Sequence, residues 1–107
     1  MWLSESPRKI FAYSEPTDMR KSFTGLLALV QQVFRDEDPY SGSLFVFVNR
    51  RGNYPKILAW DRTGFSLFAK KLERGRFVIP GDVSQELSAK ALRFILDGIA
   101  LGRRRSV

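Results

Sequence analysis

At 107 residues the chain has room for one domain with one core and too little for separate catalytic and binding domains. Its 44% hydrophobic and 13% aromatic content excludes a disordered tail, and a net charge of +7 points to a polyanionic partner. With neither cysteine nor histidine, the chain can build no disulfide scaffold, thiolate nucleophile, histidine triad or common zinc-ligand set. The longest apolar run, residues 26–30, falls far short of the ~20 residues of a membrane helix. No basic, apolar leader opens the chain, so a soluble cytoplasmic protein without membrane contact is expected.

In chain order, residues 9–14 contain Ile10, Phe11 and Tyr13 and predict a short strand, stopped at Glu15-Pro16 because proline restricts the residue before it. Thr17 is a good N-cap. Met19, Phe23, Leu26, Leu27, Val30, Val33 and Phe34 then recur at three- and four-residue spacing, which predicts a helix over about 18–35 with those residues on its core face. Gly25 inside it costs roughly 1 kcal/mol relative to alanine and suggests a close backbone approach.

Residues 36–43 are acidic and turn-rich. Leu44-Phe45-Val46-Phe47-Val48 is apolar on both faces and reads as a central strand covered by a helix on one side. Asn49-Arg50-Arg51-Gly52-Asn53 reads as a hairpin loop, residues 54–60 as the returning strand, 61–64 as a turn and 65–72 as another strand. A turn at Glu73-Arg74-Gly75 leads to a short last strand at 76–79, and Pro80-Gly81-Asp82 breaks the pattern. Ser84 or Ser88 then caps a final helix carrying Leu87, Ala91, Leu92, Ile95, Leu96 and Ile99, with Gly98 as C-cap. The expected fold is α+β, a single domain over residues 1–107 in which an antiparallel meander of about four to five strands packs against two helices. A short basic tail is expected at about 102–107, where Arg103-Arg104-Arg105 adds non-specific phosphate affinity.

Most of the net charge sits between residues 49 and 77. Arg50, Arg51, Lys56, Arg62, Lys70, Lys71, Arg74 and Arg76 face only Asp61 and Glu73 there. Because apolar residues are threaded between these cations, the segment reads as folded sheet with a basic surface, and these eight are the candidate nucleic-acid contacts. A solvated, soluble sheet edge is the plainer alternative. Arg20 and Lys21 in a helix's first turn would oppose its dipole, so they either hold an anion or a protein partner or are neutralised by Asp18, Glu15 or another carboxylate. Trp60 and Phe65 are either base-stacking platforms or, as we favour, hairpin-end core.

Four blocks in natural order carry a resemblance: Pro16-Thr17-Asp18-Met19-Arg20-Lys21-Ser22-Phe23-x-Gly25-Leu26, Leu44-Phe45-Val46-Phe47-x-Asn49-Arg50-Arg51-Gly52, Lys56-Ile57-Leu58-x-Trp60-Asp61-x-x-Gly64-Phe65, and Lys70-x-Leu72-Glu73-x-Gly75-Arg76-Phe77. Over about residues 9–101 the chain resembles the small accessory protein, called TnpB or the second-open-reading-frame product, of bacterial insertion sequences of the type numbered sixty-six. Ser22 stands where glycine is common in that family, and Ala59 where an aromatic is common. The resemblance implies a protein encoded beside a separate transposase, associated with transposition and without established catalysis of its own. It does not extend to the RNA-guided nucleases that share the TnpB name.

The expected function is therefore a non-enzymatic accessory protein of DNA transposition, with DNA and the element's transposase as partners and no cofactor, catalytic residue or metal. The alternative is a protein interaction module that binds an acidic surface of the transposase without DNA. Asp18, Asp61, Glu73 and Asp97 fit caps, turns and helix ends better than a converging two-metal site.

Overall fold

A strand with no polar residue on either side must be covered twice, and Leu44-Phe45-Val46-Phe47-Val48 is buried at every position. In the computed structural model, which describes residues 9–77, 79 and 84–96, this strand is the centre of a five-stranded sheet. The elements in order are β1 (Ile10–Tyr13), α1 (Phe23–Val33), β2 (Leu44–Val48), β3 (Pro55–Trp60), β4 (Phe65–Ala69), β5 (Ser84–Glu86) and α2 (Ala89–Leu96). Across the sheet the strands lie β4-β3-β2-β1-β5.

The fold is α+β, but the sheet is mixed and the expected all-antiparallel meander holds only for β2, β3 and β4. β1 runs parallel to β2, with Ile10 opposite Leu44 and Ala12 opposite Val46. Parallel neighbours need a crossover, and α1 with its flanking loops supplies it. β5 pairs antiparallel on the outer side of β1, with Tyr13 opposite Ser84 and Phe11 opposite Glu86. No strand was expected at 84–86. Conversely, Arg76 and Phe77 are not in a strand, although the Phe77 amide donates to the Gly52 carbonyl. A segment tied to a loop by one such bond lacks the ladder that makes a strand.

Both sheet faces are covered. On one, Phe11, Phe45, Phe47 and Leu58 meet Leu26, Val30 and Phe34 from α1 and its C-terminal edge. The rings of Phe11, Phe34 and Phe45 lie 5.5 to 5.7 Å apart, and burying one such ring contributes about 1.5–3 kcal/mol. On the other face, Ile10, Ala12, Val46, Ile57 and Ala59 meet Phe77, Ile79 and Leu92 of α2. Ser88 caps α2, accepting from the Ala91 amide at 3.0 Å. The expected residues Gly98, Ile99 and the arginine tail lie outside the described residues.

Helix α1 begins five residues later than expected. Its N-cap is Ser22, without a side-chain cap hydrogen bond, while Thr17 is buried and donates its amide to the Val48 carbonyl. Phe23, expected in the core, is the first residue of α1 and is 47% exposed. At Gly25 the close approach comes from a side chain, since a Cβ would lie 3.2 Å from the Lys21 Cβ and Cγ.

Gly52 has φ of +76°, and a Cβ there would sit 3.0 Å from the Phe77 carbonyl oxygen. Gly52→Ala is therefore expected to lose about 1–2 kcal/mol from the left-handed backbone alone. Urea unfolding beside Gly64→Ala, where an added Cβ meets nothing within 4 Å, provides the check; equal stability of the two variants would contradict the tight approach.

Candidate nucleic-acid interface

The strand directions decide where the cations go. The C-terminal ends of β1, β2 and β4 and the N-terminal ends of β3 and β5 share one end of the sheet. Three connections therefore meet there: residues 14–22, 49–54 and the segment leaving β4 at residue 70. They bring together Arg20, Lys21, Arg50, Arg51, Lys70, Lys71, Arg74 and Arg76, all exposed. The sheet has no free basic face, because β2 and nearly all of β3 are buried on both sides. What the structure offers is a basic end.

Two expected contacts do not belong to it as surface groups. Arg62 lies in the β3–β4 turn at the opposite end, roughly 20 Å away by the length of β3. It also holds a left-handed φ of 76°, rare for a residue with a side chain. Lys56 is only 8% exposed. Its side chain points to the α1 face, where Nζ donates to the carbonyls of Met19 and Lys21 at 2.8 Å each and sits 5.7 Å from the Tyr54 ring centroid. Lys56 is a clamp, fastening residues 19–21 to the start of β3. A lone lysine in the apolar strand sequence Pro-Lys-Ile-Leu-Ala-Trp was the signal, since an ammonium buried there must find acceptors.

The arginine-bearing loop is built firmly. Asn49 Oδ1 accepts from the amides of Asn53 and Tyr54 at 3.0 Å, its Nδ2 donates to Asn53 Oδ1 at 2.7 Å, and the Gly52 amide donates to the Asn49 carbonyl at 3.1 Å. The Leu72 amide donates to the Asn53 carbonyl at 2.7 Å and the Lys70 amide to the Pro55 carbonyl at 3.1 Å. The 70–77 segment is thus laced along this loop, and Arg50 and Arg51 project from an anchored tip.

Arg20 is paired with Asp18, one of the two alternatives the sequence left open. Its Nε donates to both Asp18 carboxylate oxygens, at 3.1 and 3.0 Å, and an Nη donates at 2.6 Å. These bonds, then the Arg20 amide, hold the Asp18 carboxyl at about 2 and raise the Arg20 guanidinium. The pair stays ionised at neutral pH and is lost only as pH falls toward 2, the direction expected for a depressed carboxylate. Because Arg20 and Lys21 precede α1, they do not oppose its first turn. Asp61 accepts from Ser66 Oγ at 3.0 Å and its amide closes the turn to Gly64. Among the described residues no three carboxylates converge to hold a metal ion.

Trp60 and Phe65 form a ring cluster with Tyr40, at 5.1 to 5.3 Å. It lies at the end opposite the basic loops, where the Tyr40 amide donates to Asp38 at 2.9 Å and Asp61 follows Trp60, so these aromatics do not combine with the basic loops in one site. Among the described residues no helix is long and apolar enough to cross a membrane.

A family model for the IS66 Orf2 like protein matches residues 8–106. The chain is 41% identical over 85 residues to the uncharacterized protein y4hO of Sinorhizobium fredii, covering 78% of this chain and 73% of that one. It is 38% identical over 72 residues to the uncharacterized protein y4jC of the same organism, covering 67% and 61%. No solved structure matches. The chain with this mixed, twice-covered sheet and clustered basic loops belongs to the IS66 Orf2-like family, which is associated with transposition.

Lys56→Met is expected to destabilise the fold by about 1.5–3 kcal/mol, the worth of hydrogen bonds to a charged group, because two inner carbonyls lose their donor. Urea unfolding at an unchanged midpoint would show that the ammonium is not a clamp.

Proposed function

We propose that this protein is a non-enzymatic accessory factor of DNA transposition that holds transposon DNA, or the DNA of a transposase–DNA complex, against its basic end. One observation carries the reading: two connections remote in sequence bring Arg50, Arg51, Lys70, Lys71, Arg74 and Arg76 to one end of the sheet, where a third brings Lys21. Cations gathered from remote sequence positions and set on anchored loops suit a phosphate backbone. Their charge is not cancelled locally, since Glu73 is the only acid among residues 49–54 and 70–77. The chemistry of strand cleavage and joining belongs to the transposase in this proposal. Family membership supports the setting, and charge placement supports the contact.

Binding is expected to be weak in sequence preference, because the described residues of the basic end are loops and α1, the helix that starts there, has no charged side chain. If about five phosphates are engaged, log affinity falls with log salt at a slope near −4.5, using ~0.9 counterion per phosphate. Arg50→Glu combined with Arg51→Glu is expected to shrink that slope by about 2 and leave the melting temperature unchanged, since both side chains are exposed. Titration of labelled element-end and random duplexes across salt provides the measurement. Salt-independent binding, or none at low salt, would overturn the DNA reading; capture of the transposase after nuclease treatment would then favour an acidic protein surface as the partner.

A further inference from the structure

Among the described residues the exposed Phe23 belongs to neither hydrophobic cluster of the core. It continues the spacing of Leu26, Val30 and Phe34, yet it is 47% exposed while those three are buried. Among the described residues, the other large hydrophobic side chain exposed to that degree is Tyr40, whose ring rests on Trp60 and Phe65. Phe23 has no such ring neighbour among the described residues.

Its position gives it a use. The Lys56 clamp binds the Lys21 carbonyl to the start of β3, next to the arginine loop, and Phe23 follows Lys21 by two residues, at most about 7 Å of chain. A solvent-facing ring is thus fixed beside the basic end, on a helix start held by the sheet. A planar apolar surface bordered by phosphate-binding cations is the arrangement that takes unpaired nucleotides, with the ring under a base and the cations along the backbone. A paired duplex hides its base faces and offers such a ring nothing. Duplex reading would instead need a polar helix or ribbon for the groove, and α1 has no charged residue.

We propose that Phe23 is a base-stacking platform and that the basic end takes nucleic acid with unpaired bases, as in a single strand or an opened DNA end. This rests on the proposed DNA contact and specifies its form. Lys21 and the 50–51 arginines hold the phosphates on either side of the stacked base. Because stacking tolerates every base, preference follows strandedness more than sequence.

The test is fluorescence-anisotropy titration of the full chain with a labelled dT12 strand and a 12-base-pair duplex, using wild type, Phe23→Ala, Phe23→Leu and Phe23→Trp. Wild type is expected to prefer the single strand. Phe23→Ala and Phe23→Leu should each weaken single-strand binding by about 5- to 100-fold, the span of one lost stack, with less than about twofold effect on the duplex; Phe23→Trp should retain it. Phe23→Leu keeps the apolar bulk, so a loss shared by both variants at an unchanged melting temperature identifies the ring's stacking. Unchanged single-strand affinity in Phe23→Ala and Phe23→Leu overturns the stacking role while leaving the DNA contact standing. Unchanged affinity together with lost capture of the purified transposase also overturns it, assigning Phe23 to a protein contact. Failure of wild type to bind either probe overturns the DNA contact itself.

Discussion

The parallel pairing of β1 with β2 is the constraint on which the rest of the molecule depends. Parallel strands cannot be joined by a hairpin, so the chain must leave β1 at one end, cross a sheet face and re-enter at the other. Helix α1 makes that crossing and in doing so covers Phe45, Phe47 and Leu58. The same pairing fixes the exit of β1 beside the exit of β2, and the following meander returns β4 to that end. Three connections therefore share one end for reasons of chain direction. The cations are neighbours in space because the topology leaves them no alternative.

Topology alone would leave those loops free to wander, and backbone bonds prevent it. Lys56 fastens the 19–21 stretch, Asn49 closes the arginine loop on itself, and the chain leaving β4 donates to Asn53 and Gly52. Each bond contributes only about 0.5–1.5 kcal/mol net, more where the donor is charged. Their larger effect is to order the loops before any ligand arrives, so less conformational entropy is lost on binding. The burial of Lys56 is thus consistent with a role at the basic end, exercised through the backbone of its neighbours. Thr17 shows the limit of this economy: its amide is bonded to Val48, while its buried Oγ1 has no hydrogen-bond partner among the described residues.

Much of the fold was legible because burial leaves a periodic record. β2 reads directly from an uninterrupted apolar run, β3 from the apolar stretch that returns after the Asn49–Asn53 loop, and α1 from Leu26, Val30 and Phe34. Strand direction leaves no such record. The 9–14 stretch predicts a strand but carries nothing that says which way its neighbour runs, and β5, with the sequence Ser-Gln-Glu, has no β-former at all and exists because β1 offers it an edge. The candidate site failed in the same place. Arg62 and Lys56 lie among the other cations in sequence, and only chain direction and side-chain alternation separate one to the far end and turn the other inward. Phe23 deceived for a related reason: helical spacing reports which face a residue is on, but not whether that face is covered along its whole length.

The two ends of the sheet differ in sign, and that bears on how a polyanion approaches. Connections at one end carry Arg20, Lys21, Arg50, Arg51, Lys70, Lys71, Arg74 and Arg76, with Glu15, Asp18 and Glu73 offsetting them in part. Those at the other carry Asp36, Glu37, Asp38 and Asp61, with Arg35 and Arg62 offsetting them in part. A field of this shape draws phosphate to one end and repels it from the other, orienting the encounter before contact. Screening limits the effect to about 10 Å at 0.1 M salt, which is shorter than the roughly 20 Å run of β3. At that ionic strength the field at the basic end is set by the loops that meet there, and the sheet between the two ends keeps the opposite charges apart.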